Sequence, residues 1–454
     1  MTQAMTMAGM RHDEQQLQAF YSAHIALLGE RYGRAIQDAG YDTLVIHSGN
    51  ARKQCPFDDQ YWPLRPTPAF SHWLPLQEAG CALVIEAGKK PVLHRPIVND
   101  YWHGQAAPES EHFWSAFDVV DVADVAALSQ GLPAGSRVAY VGSDVAALGE
   151  LGGSDEAINP TALIDALDQA RTLKTDYEKL CLIEASRRAG FGHVAIVDAF
   201  MAGPASEFEL HLAYLRATQQ DSWETPYTNI VALDKNAAIL HHVHYTRTTP
   251  EDGAHSLLVD AGATYLGYAS DITRTTVRGE GADAELFAQL IKHVESLQQL
   301  VIERIAVGMA YEDLHDYAHE LLADALREVG VSSASRDELV SSGATRTFLP
   351  HGLGHSLGLQ VHDVGMRTHD PKPDNPYLRN TSTIVEGQVF TIEPGCYFIA
   401  PLLEELRETE IAKSLDWDVI ARLRHFGGIR IEDNIAVLAD GTENLTRDNW
   451  PNRP

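Results

Sequence analysis

Residues 256–277 read SLLVDAGATYLGYASDITRTTV, two apolar and β-branched runs around a glycine turn, with an aspartate inside each run. Such runs about a glycine predict a β-hairpin. Aspartate is disfavoured inside strands, so two of them on one hairpin restrict the fold severely. A turn at Tyr265 and Leu266 sets Asp260 opposite Asp271, with side chains ~5 Å apart on one face. Carboxylates at that separation repel, and no sequence neighbour clearly neutralises them. A cation is the simplest remedy. The competing reading makes one aspartate an ordinary turn residue.

A second pair has the same character. TIEPG and IRIEDN place Glu393 and Glu432 within apolar β-like runs, where an unpaired glutamate is costly. Arg430 and Asp433 lie beside Glu432, so an internal salt bridge is the alternative. Upstream, FLPHGLGHSLGLQVHD gathers His351, His355 and His362 in a glycine-rich stretch. A four-residue histidine spacing can mark a helical zinc site, but that motif carries a glutamate after the first histidine. Pro350, Gly352, Gly354 and Gly358 oppose a long helix here, and glycines instead let backbone approach a ligand or metal. Each histidine alone reads as well as a structural or surface residue. Together, four carboxylates and a histidine form an oxygen-dominated set suited to Mn²⁺, Mg²⁺ or related ions. The set is large enough to bridge two ions, which lie ~3.5–4 Å apart in such sites.

With 454 residues the chain exceeds one ordinary core, and two domains are expected. Residues 14–40 carry a helical stripe of Leu17, Tyr21, Ile25, Leu28 and Tyr32 that Gly40 can end. Strand-like TLVIHSG, CALVIEA, PVLHRP and RVAYVGSD follow, the middle two joined by a turn at Gly88, Lys89 and Lys90. A helical linker is expected over 154–175. Residues 1–170 therefore read as a smaller α/β domain. Beyond it, helices are predicted over 176–202, 282–307 and 310–329, and Ser206 with Glu209 has capping-box spacing. Strand candidates are NIVAL, SLLVDAGA, YASDITRTTV, QVFTIEPGCYF and IRIEDNIAVL. Helices mixed with hairpins give an α+β domain over 171–446, and 447–454 reads as a polar, exposed tail.

The net charge of −28 argues against general affinity for nucleic acid or anionic membrane. No run approaches the ~20 apolar residues of a membrane span, and no secretory signal is visible. Cys55, Cys81, Cys181 and Cys396 are scattered without metal spacing, which suits reduced thiols in a cytoplasmic protein.

The order Asp…Asp…His…Glu…Glu resembles the pita-bread metallopeptidases, on the blocks DAGATYLGYASDITRT, PHGLGHSLGLQVHD, FTIEPG and GGIRIEDN. Residues 1–170 are similar to that family's partner domain. Within the family the chain is most similar to bacterial Xaa-Pro dipeptidases (prolidases) and to their relatives described as organophosphorus acid anhydrolases. Residues 398–428 look like an insertion typical of that group. One departure is Thr276, where these relatives often have tyrosine.

The resemblance implies a catalytic domain of pita-bread fold and two divalent ions, Mn²⁺ first and Co²⁺ or Zn²⁺ as alternatives. It implies the ligands Asp260, Asp271, His355, Glu393 and Glu432, with Glu393 also moving a proton. His362 and His351 would take part in catalysis. His241, Arg379, Arg430, Tyr227 and Val361 would line the substrate pocket, Arg379 gripping a terminal carboxylate. Asp59 would reach a neighbouring subunit's pocket in a homodimer. The substrate would be a dipeptide ending in proline. An aminopeptidase acting on longer peptides, phosphotriester hydrolysis as a side reaction, and a non-catalytic binding protein are the alternatives.

Overall fold

The computed structural model describes residues 14–97, 101–102, 104, 110–123, 125–131, 137–251 and 253–451. The chain divides into a unit of Met1–Arg171 with Thr175–Glu178, and a unit of Thr172–Lys174 with Lys179–Pro454.

In the first unit, α1 (Glu14–Asp38) precedes β1 (Thr43–His47), α2 (Pro68–Ser71), β2 (Ala82–Glu86) and β3 (Val92–Pro96). Then come β4 (Asp118–Val122), α3 (Val125–Gly131), β5 (Val138–Val141), α4 (Val145–Glu150) and α5 (Thr161–Ala170). The sheet order is β4-β3-β2-β1-β5, antiparallel except where β3 meets β4 and β1 meets β5. The turn expected between β2 and β3 forms at Gly88, whose φ of 73° is accessible to glycine at no steric cost. The buried stripe of α1 is Leu17, Tyr21, His24, Leu28, Tyr32 and Ile36. His24 rather than Ile25 continues the stripe in the third turn, held there by a bond to the His72 carbonyl at 2.8 Å.

Most of α6 (Asp176–Ala202) lies in the second unit, followed by α7 (Glu207–Thr218), whose capping box between Ser206 and Glu209 forms as expected. Next are β6 (Ile230–Leu233), β7 (Ser256–Asp260), β8 (Thr264–Tyr265), β9 (Tyr268–Ala269) and β10 (Thr273–Val277). Helices α8 (Ala282–Arg304), α9 (Tyr311–Glu328), α10 (Arg336–Ser341) and α11 (Ala344–Phe348) follow. The chain closes with β11 (Val389–Ile392), β12 (Gly395–Tyr397), α12 (Ala400–Arg407), α13 (Trp417–Leu423), β13 (Gly428–Arg430), β14 (Asp433–Val437) and β15 (Thr442–Asn444). Three-stranded sheets β10-β7-β6 and β11-β14-β15 are accompanied by the pairs β12–β13 and β8–β9. Phe287, Leu290, Val294 and Leu297 of α8 share a core with Leu314, Ala318 and Leu322 of α9 and with Phe390, Ile392, Ile429 and Ile435 of the strands. This packing backs strands that flank both glutamates.

Three expectations are corrected. The two glutamate-bearing runs are not continuous strands: each breaks beside its glutamate, because the halves pair differently. β11 joins β14 while β12 joins β13, and Pro394 at one break has no N–H to give a ladder. The hairpin turns at Leu266 and Gly267, with φ of 48° and 89°, so Asp260 faces Thr273 and not Asp271. Positive φ at both central residues fits the right-handed twist of paired strands, and burial of Leu266 offsets its strain. Finally, residues 446–451 are docked instead of forming an exposed tail, with Trp450 packed against Ala189, Ala263 and Ile272. Residues 452–454 and 1–13 lie outside the described residues. Among the described residues no helix is long and apolar enough to cross a membrane.

Candidate metal centre

The corrected register keeps both aspartates on one face. A shift of two residues preserves parity in a structure of period two, and the hydroxyl of Tyr227 lies 2.7 Å from Asp260 Oδ1 and 2.5 Å from Asp271 Oδ1. Backbone bonds continue past β10, from Ala261 N–H to Ile272 O at 3.0 Å, and carry Asp271 into place. Thr273, opposite Asp260, bridges also to Glu432, whose N–H donates to the Thr273 carbonyl at 3.0 Å.

His355 arrives on an extended segment. Residues 353–357 run antiparallel to β11, with Glu393 N–H donating to Leu353 O at 2.8 Å and Thr391 N–H to His355 O at 2.9 Å. No helix forms through His351 and His355, as the glycines imply. A Cβ at Gly354 would stand 2.1 Å from Thr391 O and 2.4 Å from Tyr311 Oη. Glycine is therefore needed to bring the segment against the strand.

The side chains then converge. His355 Nε2 lies 3.3 Å from Asp271 Oδ2 and 3.6 Å from Glu393 Oε1. Ligand atoms of Asp271, His355 and Glu432 all lie within 4.8 Å of one another. Thr273 Oγ1 donates to Glu432 Oε2 at 2.7 Å and accepts from Arg430 Nε at 3.1 Å. Arg430 donates onward to Asp260 Oδ2 at 2.5 Å and to Tyr397 Oη at 2.7 Å. Arg430 thus pairs with Asp260, not with Glu432 as the salt-bridge reading of IRIEDN supposed. Among the described residues, no lysine or arginine then pairs with the Glu432 carboxylate.

Tautomers test the fit of a metal. His355 Nδ1 is 3.0 Å from the Ser356 carbonyl, which can only accept, so Nδ1 carries the proton. On the neutral ring, the Nε2 lone pair faces two carboxylates. A buried arrangement of lone pairs facing lone pairs requires a cation or added protons. Without a metal the cluster favours protons on its carboxyl groups: burial, then the Asp260 charge, raises Asp271. Burial likewise pushes Glu393 up to about 7 against the opposing charges of His355 and Arg430. Glu432 is driven well above the carboxylate range by burial and by Asp271 and Glu393. Asp433 is the opposite case: burial raises it, but Arg274 and Arg447 outweigh that and hold it at about 2. The residues present fit a divalent ion, and hard oxygen donors with one imidazole suit Mn²⁺-like chemistry.

Other predicted residues surround this cluster. His351 lies 3.8 Å from Glu393 Oε2, donates from Nδ1 to Gly352 O at 2.8 Å, and meets Tyr397 Oη at 2.9 Å through Nε2. The His362 ring stands edge-on to His355 at 4.3 Å. Its pKa is lowered by burial against that ring, then by the charges of His355 and Arg379, with His241 also felt. Arg379 and His241 are exposed, and Val361 is half-buried beside His362. Thr276 sits opposite Leu257, away from the ligands. Asp59 belongs to the first unit, exposed, with Oδ1 accepting from Gln60 Nε2 at 3.1 Å. Sequence reasoning missed Thr273 and Tyr397 entirely and assigned Tyr227 only a wall. No sequence signal marked Thr273, because its place opposite Asp260 appears only in the corrected register.

His24, His72 and Glu178 in the first unit also approach within 4.8 Å. There both His24 ring nitrogens are engaged, by the His72 carbonyl and Thr175 Oγ1, and Glu178 accepts the Thr175 N–H at 2.9 Å. Hydrogen bonds engage His24 in that group, while His72 Nε2 lies 3.3 Å from Glu178 Oε1.

Comparison with known proteins agrees with this geometry. The family model "Metallopeptidase family M24" matches residues 181–439, and "Xaa-Pro dipeptidase, N-terminal domain" matches 19–169. The chain is 41% identical to an Xaa-Pro dipeptidase of Pseudoalteromonas atlantica, over 96% of this chain and 99% of that one. It is 43% identical to one of Aeromonas hydrophila, over 94% and 98%. Solved structures of E. coli aminopeptidase P (TM-score 0.70, 21% identical, 96% of each chain) and of Yersinia pestis proline aminopeptidase P II (TM-score 0.70, 22% identical, 97% and 98%) share the fold. The α+β second unit is accordingly the pita-bread domain, and the chain is a member of metallopeptidase family M24.

Proposed function

We propose that the protein is a metal-dependent Xaa-Pro dipeptidase that releases free proline. The observation carrying this reading is the convergence of His355 Nε2 with the carboxylates of Asp271, Glu393 and Glu432 in a chain near 40% identical, end to end, to proteins named for that activity. Asp260, Asp271, His355, Glu393 and Glu432 would hold two divalent ions, with Mn²⁺ favoured by the oxygen-rich set and Co²⁺ or Zn²⁺ as substitutes. When bound, such ions polarise the scissile carbonyl and acidify the attacking water.

The chain's own residues do the rest. Glu393 takes the proton from that water and delivers it to the departing proline nitrogen. His362, kept neutral, donates from its ring N–H to the oxygen where negative charge develops. Arg379 pairs with the substrate's terminal carboxylate through two parallel bonds, and His241 and His351 border the same pocket. Tyr227 and Val361 supply its wall, since a tertiary amide offers no N–H to recognise. Arg430 holds Asp260. A fixed separation between the metal centre and Arg379 measures one dipeptide and rejects longer chains. Asp59, reaching the pocket of a second copy, belongs to a homodimer in this reading, and the protein works in the cytoplasm. Phosphotriester hydrolysis is a side activity of the same centre.

Asp260→Ala and Glu393→Ala, assayed on Leu-Pro with Mn²⁺, are expected to lose at least about 10²-fold in rate. Full activity in either variant removes the proposed centre. Leu-Pro compared with a tripeptide carrying proline second separates the dipeptidase from an aminopeptidase.

A further inference from the structure

Arg447 lies outside the centre described above, yet one of its bonds ends on the residue after a proposed ligand and another reaches, through Gln298, the residue before one. Nε donates to Asp433 Oδ2 at 2.6 Å, and Asp433 follows Glu432. Nη2 donates to Gln298 Oε1 at 3.2 Å, and Gln298 Nε2 donates to the Ile392 carbonyl at 3.2 Å, directly before Glu393. Nη1 meets the surface residue Glu295 at 2.9 Å.

Asp433 is fully buried and shared. Its Oδ1 accepts from Arg274 Nη2 at 2.6 Å, while Arg274 Nη1 donates to the Glu432 carbonyl at 2.7 Å and the Thr273 carbonyl at 2.9 Å. Trp450 covers Arg274, the guanidinium 5.0 Å from the ring. With its amide oriented to satisfy both ends, Asn434 donates to Asp271 O at 2.7 Å and accepts from Asp271 N at 3.3 Å and Ser186 Oγ at 3.1 Å. The backbone around Glu432, Asp271 and Glu393 is thus held from behind by side chains that touch no ligand atom.

We infer that Arg447 is a positioning residue for both glutamates of the centre, fixing Glu432 through Asp433 and Arg274, and Glu393 through Gln298. The inference rests on the ligand assignment proposed above. Without Arg447, Asp433 keeps one guanidinium for a buried charge. Arg274 then turns toward it, away from the Glu432 carbonyl, and the Ile392 carbonyl loses a fixed donor. Outer partners of metal ligands are worth about 10–100-fold in metal affinity.

The test is a Mn²⁺ titration followed by the EPR signal of free Mn²⁺, on folded protein well below its melting temperature, with melting curves alongside. Arg447→Ala is expected to weaken Mn²⁺ binding by about 10–100-fold. Arg447→Lys should recover part of this by restoring charge at Asp433, and Glu295→Ala should bind as wild type does. Dissociation constants within twofold of wild type for Arg447→Ala, whatever its melting temperature, overturn the inference. Should that variant fail to fold, Arg447→Lys and Gln298→Met decide: unchanged binding in both overturns it as well. A wild type that bound no Mn²⁺ would instead sink the ligand assignment, and the inference with it.

Discussion

Stripping the metal should make stability depend on pH with an unusual sign. Glu393, only 16% exposed at its side chain, titrates near 7 in the metal-free fold against 4.5 for an ordinary glutamate. A carboxyl whose pKa is higher folded than unfolded binds more protons in the folded state. Stability therefore falls as pH rises from about 4.5 through about 7. Between pH 7.5 and 5.5, acidification should stabilise the metal-free protein by roughly 2 kcal/mol through Glu393 alone. In a unit of this size that is about 3–4 °C in melting temperature. Saturating Mn²⁺ occupies the place of the proton and should remove the effect, since metal binding releases it. The assay is scanning calorimetry at pH 5.5, 6.5 and 7.5, in EDTA or in Mn²⁺, on wild type and Glu393→Gln. Other groups contribute background, so the difference between the two proteins is the readout. Identical slopes for wild type and Glu393→Gln in EDTA would refute the reasoning.

Gly354→Ala places a methyl 2.1 Å from Thr391 O, so the His355 segment must lift from β11; urea denaturation should show a loss of about 1–3 kcal/mol, and Mn²⁺ binding should weaken with it. Arg430→Met strips Asp260 of its buried partner. It should cost about 3–5 kcal/mol by urea denaturation of the metal-free protein, and a loss below 1 kcal/mol would contradict the pairing. Arg379→Met should raise KM for Leu-Pro by about tenfold or more, the worth of a charged hydrogen bond, with little change in kcat; steady-state kinetics showing an unchanged KM would remove Arg379 from the carboxylate clamp.

What could be read from the sequence follows a physical rule. Asp260, Asp271, Glu393 and Glu432 stood out because a carboxylate in a β-branched, apolar run contradicts its own neighbours. The glycines around His355 stood out because they forbid the helix that its spacing would otherwise suggest. Parity protected the aspartate pair from a wrong register, since Leu266 in a left-handed conformation is a choice that no local propensity favours. Partner selection was not legible. Arg430 is two residues from Glu432, yet it bonds Asp260, 170 positions away, because the breaks beside the glutamates re-pair β12 with β13. Arg274, Gln298 and Arg447 are ordinary residues in ordinary contexts: an arginine on a strand, a glutamine in a helix, an arginine in a polar tail. Their roles exist only once β14 carries Asp433 into the core and three separate segments close on it. Local contradiction reveals the groups that must hold a charge, whereas the groups that hold those groups still obey every local rule. A chain with all five proposed ligands in place and Arg447 replaced would therefore read as intact, and its weakened metal affinity would emerge only on measurement.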